Sequence, residues 1–130
     1  MADFNVAVRE VGNVKVIDVK GYLDAHTAPE LESAFNKLID QNKYNVVVNF
    51  DNLNYISSAG LGVFMAYVET MRDNKGDIKF SNMQEGVYNI FDLLGFPMLY
   101  EFFNDEKEAI EKFNQEGKSW AQRISKMKLL

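Results

Sequence analysis

The run Tyr44 to Phe50, Tyr-Asn-Val-Val-Val-Asn-Phe, constrains this chain more than any other feature. Its β-branched residues come together rather than alternating, the pattern of a strand buried on both faces, as in a sheet covered by helices. It is therefore expected to be the central strand, and the segments around it must supply its neighbours and its cover. Asn5 to Val19 reads as two strands about a turn at Gly12-Asn13, with Val6, Val8, Val14, Val16 and Val19 in near alternation.

After Gly21-Tyr22-Leu23-Asp24 the pattern breaks, and Thr27-Ala28-Pro29-Glu30 has the S/T-x-x-E form of a capping box with proline in the first turn. Leu31, Ala34, Phe35, Leu38 and Ile39 then recur at helical spacing and give one apolar stripe. Beyond the central strand, Asp51-Asn52-Leu53-Asn54 reads as a polar loop leading to Ser57 and Ser58. Leu61, Phe64, Met65, Val68 and Met71 mark a second amphipathic helix, beginning near Ala59. A short strand is expected within Asp77–Ser81, and a third helix carries Val87, Ile90, Phe91 and Leu94 until Gly95 and Pro97 stop it. An edge strand around Leu99–Phe103 precedes a helix from Glu106 to Phe113. The stretch containing Phe91, Phe96, Pro97, Met98, Phe102 and Phe103 is expected to pack inward for the most part.

Strands alternating with helices imply an α/β fold, with four to five strands in a mixed sheet and about four helices mainly on one face. The helices beginning at Thr27 and Ala59 should share that face. Residues 1–112 are expected to form the domain and 113–130 a C-terminal amphipathic helical extension, in which Trp120, Ile124 and Met127 fall at spacings of four and three. That extension is expected to pack on the body or on a second copy, leaving homodimerisation open, in preference to a stable membrane association.

Composition removes many functions. With no cysteine and one histidine, the chain has no thiolate zinc site, thiol nucleophile or histidine cluster. His26 is expected at the surface. Asp24, Asp51 and Glu69 are scattered singly, and Gly60-Leu61-Gly62 lacks the lysine and hydroxyl of a phosphate-binding loop. A net charge of −5 offers no general attraction to nucleic acid, so protein partners are expected. Lys118, Arg123, Lys126 and Lys128 lie in the last thirteen residues with no acid among them; removing those four from −5 leaves −9 for residues 1–117. No stretch is long and apolar enough to span a bilayer, and no leader precedes the domain, so a cytoplasmic location is expected.

The segment Ser57-Ser58-Ala59-Gly60 opens a helix, where unpaired backbone N–H groups and the macrodipole favour an anion. In isolation a serine there is most simply an N-cap. The run Asn-Tyr-Ile-Ser-Ser-Ala-Gly-Leu-Gly-Val-Phe, residues 54–64, resembles the signature of the STAS family, shared by anti-sigma-factor antagonists and the cytoplasmic ends of sulphate transporters. Gly21-Tyr-Leu-Asp24 and the helix after it are similar to the family's Gly-x-Leu-Asp and first helix, and the resemblance covers roughly residues 4–112.

The resemblance implies a STAS domain acting as an anti-sigma-factor antagonist, not an enzyme, with Ser58 at the phosphoacceptor position and Ser57 second. Partner contacts are implied for Asp24, Ser57, Ser58, Ala59, Gly60 and Leu61, although Asp24 also suits an Asx-type turn. The chain departs from the antagonist pattern in carrying Ser57 where an Asp is usual and Ala59 where Ser or Thr is usual. The implied partners are an anti-sigma factor of the histidine-kinase-like ATPase fold, which phosphorylates the antagonist, and a serine phosphatase that resets it. ATP and magnesium belong to that kinase, so no cofactor is expected of this chain. The alternative is a STAS scaffold or ligand-sensing subunit of a signalling assembly or transporter complex, never phosphorylated. A serine-nucleophile enzyme would need a general base that the chain scarcely has.

Overall fold

The computed structural model describes residues 4–128, with side chains described as far as Gly117. Five strands form one mixed sheet in the order β1 (Phe4–Val11), β2 (Val14–Leu23), β3 (Asn45–Ile56), β4 (Asp77–Ser81), β5 (Phe102–Phe103). The β1–β2 hairpin is antiparallel and every later pairing is parallel. Gly12, at φ +60°, makes the hairpin turn with a left-handed backbone that glycine adopts at no steric cost. Parallel pairing requires crossovers, which α1 (Ala28–Asp40), α2 (Ser58–Asp73) and α3 (Glu85–Leu93) provide.

As expected, β3 is central, and Val46, Val47 and Val48 are all fully buried. Val46 and Val48 face the larger core with Phe35 and Leu38 of α1, Leu61, Phe64 and Met71 of α2, and Phe91 of α3. The stripes of α1 and α2 thus lie on one face of the sheet, where Phe35 meets Phe64 edge-on at 6.2 Å. At its centre Phe50, Phe64, Phe80 and Phe91 touch one another with ring centroids 5.1 to 6.3 Å apart. Edge-to-face and tilted rings of this kind add about 0.5–1.5 kcal/mol per pair beyond area burial.

Val47 points the other way, into a smaller core of Val14, Val16, Ala109 and Phe113 under α4 (Glu106–Lys128). Two polar arrangements fasten α4 to this face. At its start, Glu106 accepts hydrogen bonds from Arg9 of β1 (2.5 Å) and from Asn49 of β3 (2.9 Å). One turn past Phe113, Glu116 reaches Lys79 at 3.1 Å; Lys79 is fully buried, also paired with Glu101 and Asp77, and lies 4.6 Å from the centre of the Phe113 ring. Burial opposes its charge, but the surrounding carboxylates more than offset that and hold the ammonium above its ordinary pKa.

Two local expectations need correction. Asp51–Asn54 is not a loop: β3 runs on to Ile56, because two irregularities in its register with β2 let Asn52, Leu53, Tyr55 and Ile56 keep pairing with Lys20, Gly21, Tyr22 and Leu23. The polar composition reflects exposure of the outer residues, while Leu53 and Ile56 stay in the core. Thr27 forms no capping box; its side chain makes no N-cap hydrogen bond to α1 and its hydroxyl instead bonds the turn before the helix. The edge strand expected around Leu99–Phe103 is present and short, with Phe102 and Phe103 pairing to β4 after a 3-10 turn at Phe96–Met98. Trp120 falls outside the described side chains; α4 itself passes residue 113 without a break.

Gly76, between α2 and β4, packs so closely that a Cβ would lie 2.0 Å from the Tyr44 carbonyl oxygen. Replacing Phe80 by alanine should cost about 3–5 kcal/mol, since it empties the centre of the aromatic cluster; urea unfolding followed by circular dichroism measures it. The hydrogen bonds from Arg9 outweigh burial and, with that from Asn49, hold the Glu106 carboxyl below its usual pKa. Its contribution to stability is therefore present above the usual carboxylate range and lost as pH falls through and below about 4.3. Glu106→Gln should flatten the acid limb of the unfolding curve.

Candidate functional site

Parallel pairing delivers the ends of β2 and β3 to the same rim of the sheet. Leu23 lies opposite Ile56, and the backbone N–H of Ser57 donates to the Leu23 carbonyl at 2.9 Å. The next residues, Asp24 on one strand and Ser57-Ser58 on the other, are thereby brought together, as the sequence motifs imply.

Asp24 is a turn former here. Its Oδ1 accepts from the backbone N–H groups of His26 (2.9 Å) and Thr27 (3.2 Å), and its carbonyl accepts from Thr27 and Ala28 at the entry of α1. The Thr27 hydroxyl donates to the Tyr22 carbonyl and accepts from the Asp24 N–H, both at 2.8 Å. The turn is fixed by side chains, which leaves Asp24 half-buried on a rigid rim. His26 is exposed beside it.

Ser57 is the N-cap of α2, in extended conformation at φ −102° and ψ 173°, and its carbonyl accepts from Leu61. Its Oγ is shielded from solvent, makes no hydrogen bond, and does not cap the helix. A shielded hydroxyl without a partner costs free energy. Ser58, the first residue of α2, is exposed, as are Ala59 and Gly62. The first turn of α2 contains no acidic side chain, so nothing on it offsets the positive end of the helix dipole. Of the two hydroxyls, Ser58 is the accessible one and sits where an anion is favoured.

Gly60 and Leu61 play a different part. Both are buried, and a Cβ on Gly60 would meet Leu23 Cγ at 2.7 Å and Ile56 Cγ1 at 3.0 Å. The absence of a side chain lets the first turn of α2 settle onto the strand ends and so sets the height of Ser58 above the rim.

The sequence reading missed Tyr22 and Tyr55. Both side chains are nearly half-exposed, and their rings lie 5.5 Å apart on the sheet face opposite the three crossover helices. A signal was present: each sits two residues before a site residue, Asp24 or Ser57, at the solvent phase of its strand, where a polar residue would be ordinary. Among the described residues no group of three or more His, Cys, Asp or Glu is placed to hold a metal ion, and no helix is long and apolar enough to cross a membrane.

A mixed sheet with three crossover helices on one face has solved counterparts. A solved anti-sigma factor antagonist from Mycobacterium paratuberculosis superposes with a TM-score of 0.77 at 20% identity, covering 85% of this chain and 93% of that one. The Bacillus antagonist SpoIIAA in its unphosphorylated form gives 0.75 at 21% identity, covering 85% and 97%. The STAS domain family profile matches residues 5–109, and the chain belongs to that family. An anti-sigma-B factor antagonist of Staphylococcus epidermidis is 30% identical over 79 residues, spanning 61% of this chain and 73% of that protein.

The close seat of α2 makes a stability prediction. Gly60→Ala should destabilise the domain by about 1–3 kcal/mol through overpacking against Leu23 and Ile56, whereas Gly62→Ala, with nothing within 4 Å, should not. Thermal unfolding of the two variants distinguishes them.

Proposed function

We propose that this chain is an anti-sigma-factor antagonist, a binding switch that captures an anti-sigma factor and is released by phosphorylation of Ser58. The observation that carries the reading is the position of that hydroxyl: exposed, on the first turn of α2, beside the Asp24 turn on a rim fixed by the Ser57–Leu23 bond. Membership of the STAS family and relatives named as antagonists support it.

The physical logic comes from charge. A phosphate adds about −1.5 to −2 charge and three acceptor oxygens. Free N–H groups at the start of α2 tolerate it locally, so the fold survives. A partner that packed against a neutral hydroxyl then faces a desolvated dianion beside a body carrying −9 over residues 1–117, and the contact breaks. Asp24, Ser57, Ala59 and the exposed part of the rim would touch the partner directly; Gly60 and Leu61, being buried, would act by positioning the rim. The partner in this reading is an anti-sigma factor of the histidine-kinase-like ATPase fold, which brings ATP and magnesium and acts as the kinase, and a serine phosphatase restores the hydroxyl, all in the cytoplasm. The chain itself contributes no catalytic group.

The test incubates wild type, Ser57→Ala and Ser58→Ala with the ATPase-type anti-sigma factor of the same organism and ATP, and maps phosphate by mass spectrometry. Ser58→Ala should bind but take up no phosphate, while Ser57→Ala should still be modified. Ser58→Asp should fold normally and bind the anti-sigma factor at least about tenfold more weakly, since a buried unmatched charge costs more than about 1.4 kcal/mol. Phosphate on Ser57 moves the switch by one residue. No phosphate on either serine, with the kinase active on another antagonist, replaces this reading by that of an unmodified STAS scaffold.

A further inference from the structure

The rim carrying Ser58 is one end of the sheet; the other end has a surface of its own. Leu93, Leu94, Met98 and Leu99 are 85%, 57%, 89% and 61% exposed. Together with exposed Pro97 they form one apolar surface where α3 ends and the 3-10 turn begins. It is not a frayed segment. Gly95, at φ +78°, terminates the helix, Phe96 is buried against Phe91 at 5.0 Å, and the Leu99 carbonyl accepts from the Arg72 guanidinium, itself held by Asp77 at 2.9 Å. Four large apolar side chains on a rigid support are on the scale of the largest patch of a typical monomer, about 300–600 Å², and such patches mark interaction sites.

The helix α4 leaves the domain at that same end. Gly117 and Glu116 lie with Asn45, Lys75 and Gly76 around a cavity at the start of β3 and β4, and Arg72, which holds Leu99, also holds Asp77, the first residue of β4. From there α4 continues to Lys128, about 16 Å further at 1.5 Å per residue. Along the sequence, Trp120, Ile124 and Met127 follow the buried Ala109 and Phe113 at helical spacing. Residues 1–117 carry −9 and residues 118–130 carry +4, and exposed Asp92 adjoins Leu93. One unbroken helix on the far face of the sheet cannot turn back onto α3 of its own chain.

We infer that the Leu93–Leu99 surface is the docking site for the α4 extension of a second copy, and that the reciprocal contact makes a two-fold dimer. Shape, charge and apolar character agree: an amphipathic basic helix fits an apolar surface on an acidic body, and a two-fold axis lets each protomer give one extension and receive one. Two such contacts match each exposed Leu93–Leu99 surface with one extension. The contact is at the opposite end from Ser58 and does not depend on the switch.

Sedimentation velocity on the full chain across the micromolar range tests it. Wild type should dimerise, more weakly as salt is raised because part of the attraction is between opposite charges. Met98→Asp, in a side chain exposed in the monomer, and Ile124→Asp, in the extension, should each weaken the dimer roughly tenfold or more, as expected for anchors of an interface, with circular dichroism unchanged. Mixing the two variants should restore association in part, since the intact extension of one can dock on the intact surface of the other. A wild type that stays monomeric overturns the inference, as does a dimer indifferent to either substitution or a mixture no more associated than its components.

Discussion

Everything at the candidate site depends on the parallel pairing of β2 with β3 being carried past its regular register. Regular register ends near Asp18 and Asn49; two irregularities then let the strands stay together through Leu23 and Ile56. Without that continuation, Asp24 and Ser57 would emerge from strands of different length and the N–H of Ser57 would lose the Leu23 carbonyl. Irregular pairing of this kind bends a strand and re-aims the residues beyond the bend. Here it lifts the first turn of α2 onto the rim and exposes Ser58 while burying Gly60.

The two faces of the sheet are held by different physics. On the crossover side, aromatic packing dominates, with four phenylalanines in mutual contact. On the other side the apolar core is small, and α4 is aligned by a carboxylate at its start and a buried ammonium under its third turn. A buried ion pair is a poor source of net stability but a strict determinant of register, because a misplaced helix would leave Lys79 uncompensated.

Much of this was legible in the sequence for identifiable reasons. The Val46–Val48 run and the stripe from Leu31 to Ile39 are periodic signals that sheet and helix burial impose directly. Gly12 and Gly95 stop elements by needing a left-handed backbone, which composition reveals. The features that escaped reading were decided by partners distant in sequence. Asp51–Asn54 looks like a loop because only Leu53 faces inward; its strand character comes from β2, some thirty residues earlier. Thr27 has the spacing of a capping residue, but the Asp24 turn competes for its hydroxyl and wins. At the candidate site, the motif located Ser57 and Ser58, and only the fold separates a shielded hydroxyl from an exposed one.

Gly76 has a bearing on how α2 is seated. With its Cα pressed against the Tyr44 carbonyl, the C-terminal end of α2 is locked to the start of β3 as firmly as Gly60 locks the N-terminal end to Leu23. Close backbone packing therefore fixes where both ends of the helix sit on the sheet. The exposed first turn of α2 is thus presented from a fixed seat, and the two ends of the helix differ in what solvent can reach rather than in how closely the backbone is supported.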